Sequence, residues 1–597
     1  MTDFTPPDPF RTRPELLGTF GMAASTHWIA TATAQSVLER DGNAFDAAVA
    51  AAFVLHLVEP HLNGPGGDLV GIYATADDPT PRVMAGQGPA PAGATIEHYR
   101  ALGFAEVPGS GVLAAAIPGA VLAWLRLLET RGSWELADVL AFAIGYARGG
   151  HPLSAAAVHT IDTVRELFEQ HWTTSAAHWL PGGRMPEPGE LATNEPYAQT
   201  LEGLLAAGAN AATREERVAA AAQAWSSGFV ADDLASFAAE PHYQPSLDRE
   251  VLGVLTADDL AGFMASNEDA VSLEFRGTTL AKSAAWGQGP VLLQMLAILD
   301  TFPDERLDPS TALGIHTIAE AMKLALADRD AWYGDDDVPL SELLAPDYAR
   351  DRADLIGNTA SLEFRPGRPG GRDPWMPPLS TSATNDGLAG SGEPTVSRTG
   401  VTRGDTCHLD VVDQHGNMVS VTPSGGWLQS SPTIPSLGFC LGSRLQMTWL
   451  DAASPSALTP GRRPRTTLSP TLLLRGGIPV ETLGTPGGDQ QDQWQLLYLL
   501  RRLVGGYEPQ QAIDAPMFHT TSHVASFEPR TWSPGELVVE HRVGAEVLAE
   551  LELRGHRVTV AGDWALGRLS MVGRDPSTGL LRAAANPRGA QGYAAGR

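Results

Sequence analysis

Residues 404–426, Gly-Asp-Thr-Cys-His-Leu-Asp-Val-Val-Asp-Gln-His-Gly-Asn-Met-Val-Ser-Val-Thr-Pro-Ser-Gly-Gly, hold the side chains best suited to chemistry. A threonine hydroxyl is a poor nucleophile unless a base removes its proton, and an N-terminal threonine carries such a base in its own α-amine. That amine titrates at ~7.7 to 8.0 when unperturbed, close to working pH. Thr406 reaches this state only if the Asp405–Thr406 bond is cut. From this stretch alone, Thr406 reads equally well as a strand residue of high β propensity.

The elements around it are those of a hairpin. Leu409, Val411, Val419 and Val421 are apolar positions of two arms, and Gln414-His415-Gly416-Asn417 is turn chemistry. Upstream, about 364–404 is poor in apolar residues and rich in turn formers, including Pro366-Gly-Arg-Pro-Gly-Gly371. So long a loop in a compact protein is functional or disordered, and its junction with the hairpin is a plausible place to cut.

Further upstream, helices are expected at His27–Arg40, capped by Ser25 or Thr26, and over the Ala-rich stretch Ala44–Val58, stopped by Glu59-Pro60. A glycine-rich loop, His61–Asp68, then precedes a strand at Leu69–Tyr73, whereas phosphate-binding loops follow a strand and open a helix. Mainly helical runs follow at Gly111–Arg131, Trp134–Arg148, Ser154–His171, Tyr197–Ala207, Arg214–Trp225, Val291–Leu299 and Leu313–Tyr333, with a capping box at Thr256–Asp259 and strand alternation over 271–281. Beyond the hairpin, strands at Thr471–Leu474, Val480–Gly484, Glu536–Glu540, Val558–Ala561, Leu569–Val572 and Leu580–Ala584 and a helix at Gln491–Leu503 give a sheet with helices, an α/β sandwich.

Composition narrows the function classes. A formal charge of -28, from 41 basic and 69 acidic residues, opposes binding to nucleic acid or an anionic membrane. Only Cys407 and Cys440 are present, which suits a reducing compartment. The N-terminus lacks a secretory signal and the most apolar run, Ala44–Val58, is too short to span a bilayer, so a cytoplasmic protein is expected. Cys440 has nucleophile-elbow spacing without a clear preceding strand, and Cys407 and His408, adjacent on a strand, point to opposite faces. There is no H-E-x-x-H run, and no metal or organic cofactor is required.

A set of further motifs decides between the two readings of Thr406. Asp41-Gly-Asn-Ala-Phe-Asp-Ala-Ala-Val-Ala50, Val58-Glu-Pro60, Asn63-Gly-Pro-Gly-Gly67, Ile117-Pro-Gly119, Trp286-Gly-Gln-Gly-Pro290, Glu320-Ala-Met-Lys-Leu-Ala325, Gly404-Asp-Thr406, Val412-Asp-Gln-His-Gly-Asn417, Ser469-Pro470 and Thr485-Pro-Gly-Gly488 together resemble the γ-glutamyltransferase family, in family order and across most of the chain. The resemblance implies an αββα N-terminal-nucleophile hydrolase sandwich and a proenzyme that cleaves itself at Asp405–Thr406. The products are a large subunit, 1–405, mainly helical and ending in the linker, and a small subunit, 406–597, in one interleaved domain. Whether this heterodimer forms a homo-oligomer stays open.

By the same resemblance, Thr406 matches the nucleophile and its amine the general base. Thr422 and Ser424 match hydroxyls that orient the amine, and Gly487 and Gly488 the oxyanion-hole glycines. Thr466 and Thr467 match the hydroxyl pair of the substrate pocket. The departures concern charge. Gln87 stands where γ-glutamyl enzymes have an arginine for the α-carboxylate, and Met447, beside Gln446, where they have an acid for the α-ammonium. A neutral amide cannot replace a bidentate guanidinium. The expectation is therefore the acylase and amidohydrolase branch, with a small-molecule amide as substrate and Arg444, Arg463 or Arg465 as a possible carboxylate anchor. The alternatives are true γ-glutamyl transfer or glutathione hydrolysis, and an unprocessed homologue that only binds.

Overall fold

The structure, a computed structural model, describes residues 4–381 and 406–597. Asp405, and with it the carbonyl side of the expected processing bond, lies outside the described residues, as do 382–404 of the expected linker.

Two antiparallel seven-stranded sheets form the centre. One runs, in spatial order, Leu16–Gly18, Leu581–Ala585, Ser570–Arg574, Ile478–Gly484, Thr471–Arg475, Thr278–Lys282 and Val271–Phe275. The other runs Tyr593–Gly596, Gly21–Ser25, Leu409–Asp413, Met418–Ser424, Asp68–Ala74, Arg82–Gly86 and Ser266–Asp269. Residues before and after 406 contribute strands to both sheets, so the two parts of the chain share one core.

Strand alternation explains the layering. In the second sheet Leu409, Val411, Val419 and Val421 face outward onto the helices Trp28–Leu38 and Ala44–Val58. Met22, Val412 and Met418 face inward onto Val572, Leu581 and Ala583 of the first sheet. The outer face of the first sheet, through Leu280, Leu473, Leu483 and Met571, is covered by the helices Pro290–Leu299, Ala312–Trp332 and Gln491–Leu503. The result is the αββα sandwich. Every residue of Ala44–Val58 is buried, as an all-round apolar helix must be. Asn43 opens that helix in a capping box with Asp46.

Several boundaries differ from expectation for local reasons. His27, not Ser25 or Thr26, caps the first helix, its Nδ1 accepting from the Ile29 amide at 3.2 Å. Pro118-Gly119 splits the expected helix at 111–131 into a short turn, Val112–Ala114, and Ala120–Arg131. The alternation over 271–281 is two strands joined at Arg276-Gly277, both at positive φ. Glu536–Glu540 and Arg557–Ala561 lie outside the sandwich, in a three-stranded sheet with Phe518–Thr520. The described part of the linker is packed: Gly367 donates to Asp328 at 2.5 Å, its carbonyl accepts from Trp332 at 3.1 Å, and Trp375 donates to Asp451 at 3.2 Å.

Candidate active site

Thr406 lies just ahead of the strand Leu409–Asp413 and forms an isolated antiparallel bridge with Ser424 on the neighbouring strand. Both are buried, and the Thr406 hydroxyl donates to Ser424 Oγ at 3.2 Å. The backbone is pinned on both sides: the Cys407 amide donates to the Pro423 carbonyl at 3.0 Å and the Thr26 amide to the His408 carbonyl at 3.1 Å. At the far end Asp413 Oδ1 accepts from the amides of His415, Gly416 and Asn417, which closes the hairpin.

Side chains alternate along this segment. Cys407 turns to the helical layer, where its thiol donates to Glu59 at 3.1 Å and Asn63 Nδ2 lies 3.1 Å from its sulfur. His408 and Asp410 share the inward face with Thr406. His408 Nδ1 lies 3.0 Å from Thr422 Oγ1 and its Nε2 lies 2.9 Å from Asp410 Oδ2, which also accepts from Ser570 Oγ at 3.0 Å. All four side chains are buried. His408, Asp410 and Ser570 were missed in the sequence. The signal for the first two was available, because residues 406, 408 and 410 fall on one face of a strand.

The strand Ile478–Gly484 delivers the paired glycines. Gly484 packs directly on His408, leaving no room for a side chain: an added Cβ would sit 2.2 Å from the imidazole Cε1. Gly487 and Gly488 follow at φ of 133° and 52°, conformations that glycine adopts without strain. They open the helix Gln491–Leu503, whose N-terminal amides and dipole suit a developing negative charge. Behind the loop, Gln288 Nε2 donates to the Gly488 carbonyl at 3.1 Å, and Arg329 donates to Gln288 Oε1 at 2.9 Å. Arg329 also pairs with Asp489. Burial opposes charge on Asp489, yet Arg329 holds its carboxyl well below the usual range.

The residues expected in the substrate pocket are less uniform. Gln87 is buried, donating to the Gly88 carbonyl at 2.9 Å while its Oε1 has no partner among the described residues. Thr466 is locked beside Trp286-Gly287-Gln288, its amide donating to the Trp286 carbonyl at 3.0 Å and its carbonyl accepting from Gln288 at 2.9 Å. The Thr467 hydroxyl is buried without a partner among the described residues. Arg444 is paired rather than available: Nη2 donates to Asp68 Oδ1 at 2.9 Å, and Nε lies 2.9 Å from Oδ2 but off the bonding direction. Burial pushes the Asp68 carboxyl up and Arg444 pulls it partly back. Met447 Sδ sits 3.5 Å from Arg444 Nη1. Arg463 is taken by Asp335 and Glu268. Arg465 donates to Ser526 at 2.8 Å, and burial together with nearby Arg329 pushes it down to about 9.

Neither cysteine has the setting of a nucleophile; burial pushes the Cys440 thiol up to about 12. Among the described residues, His316, Glu320 and His556 bring three ligand atoms within 4.8 Å of one another. Glu320 is already paired with Lys323 and Arg365, whose charges oppose a cation there. No helix among the described residues is long and apolar enough to cross a membrane.

The sequence profile of the family described as Gamma-glutamyltranspeptidase matches residues 30–596. The "Glutathione hydrolase-like YwrD proenzyme" of Bacillus subtilis is 30% identical over 96% of this chain and 98% of its own length. The "Oxamate amidohydrolase proenzyme" of Klebsiella pneumoniae is 30% identical over 97% of this chain and 99% of its own. Among solved structures, that of LmbA2991HD is 52% identical, with a TM-score of 0.93, covering 98% of this chain and 100% of that one. A cephalosporin acylase from Bacillus halodurans is 27% identical, with a TM-score of 0.81, covering 100% and 99%. A profile match over nearly the whole length, on an αββα frame, means that the chain belongs to the γ-glutamyltranspeptidase family of enzymes.

Proposed function

We propose that this protein is a self-processing amidohydrolase with Thr406 as nucleophile, acting through an acyl-enzyme. The observation that carries the reading is the Thr406 hydroxyl, buried at the head of its strand and bonded to Ser424 at 3.2 Å, on the same face as His408, against which Gly484, three residues ahead of Gly487, packs. Cleavage at Asp405–Thr406 would give subunits 1–405 and 406–597 and free the Thr406 amine. The hydroxyl then attacks the amide carbon, its proton passes to the amine, and the oxyanion takes bonds from the amides of Gly487 and Gly488. The ammonium returns the proton to the leaving nitrogen, and water, activated by the same amine, releases the acid.

The acyl group we favour is small and carries a carboxylate, as in the monoamide of a dicarboxylic acid. Gln87 and Met447 remove the charge pair that would grip a γ-glutamyl zwitterion. Arg444 is committed to Asp68 and Arg463 to Asp335 and Glu268, which leaves Arg465, its Nη1 without a hydrogen bond among the described residues, as the candidate anchor for the carboxylate. The unpartnered Gln87 Oε1 and Thr467 Oγ1 supply neutral polar atoms for the substrate's other end, with Thr466 beside them. The relative named for oxamate, itself such a monoamide, supports this class. Water is the expected acceptor, and two buried cysteines that form no disulfide with each other suit a cytoplasmic setting. A panel comparing γ-glutamyl anilides with oxalyl and succinyl monoamides tests the choice: preferential hydrolysis of the dicarboxylic monoamides supports it, and turnover confined to γ-glutamyl compounds refutes it.

A further inference from the structure

The nucleophile's own amine leaves one inward-facing group unexplained, a buried carboxylate and imidazole directly behind Thr422. A carboxylate only accepts hydrogen bonds, so His408 Nε2 carries the proton toward Asp410 Oδ2 at 2.9 Å. In the tautomer with its proton on Nε2, Nδ1 is the ring's acceptor, and the Thr422 hydroxyl 3.0 Å away turns its hydrogen to it. The lone pairs of Thr422 Oγ1 then point away from His408. In the ladder His408 lies opposite position 422 and Thr406 opposite Ser424, so Thr422 is the diagonal neighbour of Thr406 on the same face.

We propose that His408 and Asp410 are positioning residues. They orient Thr422 as an acceptor for the Thr406 α-amine of the processed enzyme and thereby sustain the basicity of that amine. The proposal rests on the reading of Thr406 as the N-terminal nucleophile. When the hydroxyl attacks, the new C–O bond forms as the carbonyl pair moves onto oxygen, and the hydroxyl proton becomes an ammonium proton. An ammonium N–H can donate to Thr422 Oγ1 only if that oxygen's own hydrogen points elsewhere, and His408 supplies the elsewhere. Asp410 is suited to backing the ring: among the described residues Ser570 is its one other side-chain donor, and its buried Oδ1 has no partner there. Gly484 makes the room, since any side chain there would overlap the imidazole. The other charged groups near this face are Asp68, paired with Ser424 in the ladder, and Arg444, which neutralises it. Ser420, Ser570 and Gly484, from the strands packed on the imidazole and carboxylate, carry no charge.

The test uses the processed enzyme and a β-lactone, which acylates the Thr406 oxygen as its ring C–O bond breaks and the ring alkoxide takes the amine-borne proton. The rate is followed against pH and the modified residue located by mass. In the wild type the acid limb reflects the amine. Asp410→Asn should move that limb to lower pH by about one unit and slow the plateau about tenfold or more, within the usual range for a weakened general base. Ser570→Ala, which leaves the carboxylate less satisfied, should move it the other way. Thr422→Ser should retain the Asp410→Asn shift and Thr422→Val should abolish it. Limbs that coincide with wild type in Asp410→Asn and Ser570→Ala overturn the positioning role while leaving Thr406 as nucleophile. Should Asp410→Asn fail to fold, the shift in Ser570→Ala and its absence in Ser570→Ala/Thr422→Val decide. Failure of the wild type to be labelled at Thr406 overturns both.

Discussion

Gly484→Ala probes the contact between the two halves of the site. An ideal Cβ there would lie 2.2 Å from His408 Cε1, 2.7 Å from Nε2 and 2.8 Å from Nδ1. Ordinary contact begins near 3.4 Å, so the ring must retreat by about 1.2 Å (3.4 less 2.2). It is fully buried and held at both nitrogens, so it cannot move without losing Asp410 or Thr422. Overpacking costs ~1–3 kcal/mol, and one buried polar group left unsatisfied adds ~1–3 kcal/mol, which together suggest a loss of about 2–6 kcal/mol. His408→Ala removes the obstacle at its own cost. The double variant should therefore be more stable than the sum of the single losses implies, by about 2 kcal/mol, within the range for residues in contact. Urea unfolding of the four forms, all in a Thr406→Ala background so that each should be one polypeptide, measures the coupling. Strict additivity, or a Gly484→Ala protein as stable as its parent, would falsify the seating of His408 against the glycine loop.

Two further outcomes follow from buried charge. Arg329→Met removes the guanidinium that pairs with both Asp330 and Asp489, leaving Arg465 3.6 Å from Asp330, and should cost ~3–5 kcal/mol, with loss of β-lactone labelling because Gln288 and Gly488 lose their support. The folded carboxyl of Asp489 is depressed below its ordinary 3.8, so this contribution is complete above that value and fades as pH falls through the depressed one. Unfolding midpoints at pH 7 and pH 3 check this, and a variant deficit that grows on acidification would contradict it. His56 is buried against the Tyr197 hydroxyl at 2.9 Å, and burial pushes it from 6.5 to about 3. Its unfolded form takes up a proton below 6.5 and its folded form does not, so its stabilising contribution is present above 6.5 and lost toward 3. His56→Phe should be the less stable protein at pH 7, with the gap to wild type narrowing by up to ~1.4 kcal/mol per pH unit between 6 and 4. A gap independent of pH would show that the imidazole titrates normally.

Much of the architecture was legible because hydrophobic period and turn chemistry agree with the tertiary structure. Gln491–Leu503 and Glu536–Glu540 fall where the pattern puts them, and Asp413 and Gly416 close the expected hairpin. Which sheet a strand joins was not legible: Glu536–Glu540 and Ser570–Arg574 read alike, yet one lies outside the sandwich and one in its centre. Strands Gly21–Ser25 and Tyr593–Gly596 escaped because small residues such as Gly and Ala carry little strand signal; their order comes from pairing across the length of the chain. Residues 364–381 have the composition of a free linker but are tied down by hydrogen bonds to Asp328, Trp332 and Asp451, which composition does not register. At the site, resemblance to the family singled out Thr406, Gly487 and Gly488. The His408–Asp410 pair is not a contact between sequence neighbours: it runs to the second residue along the same face, whereas Cys407 and His408 diverge. Arg444 as a free anchor could not be judged without Asp68, which is distant in sequence and adjacent in space.

The central claim is that Thr406 becomes the terminal nucleophile of a 406–597 subunit. Intact and peptide mass spectrometry of the purified protein, before and after treatment with the β-lactone, addresses it directly. The expected result is two chains, the smaller beginning at Thr406 and gaining one acyl mass on that residue, with a Thr406→Ala protein that stays a single unlabelled chain. A wild-type chain that remains intact, or an acyl group found on Cys440 or any other residue, would contradict it.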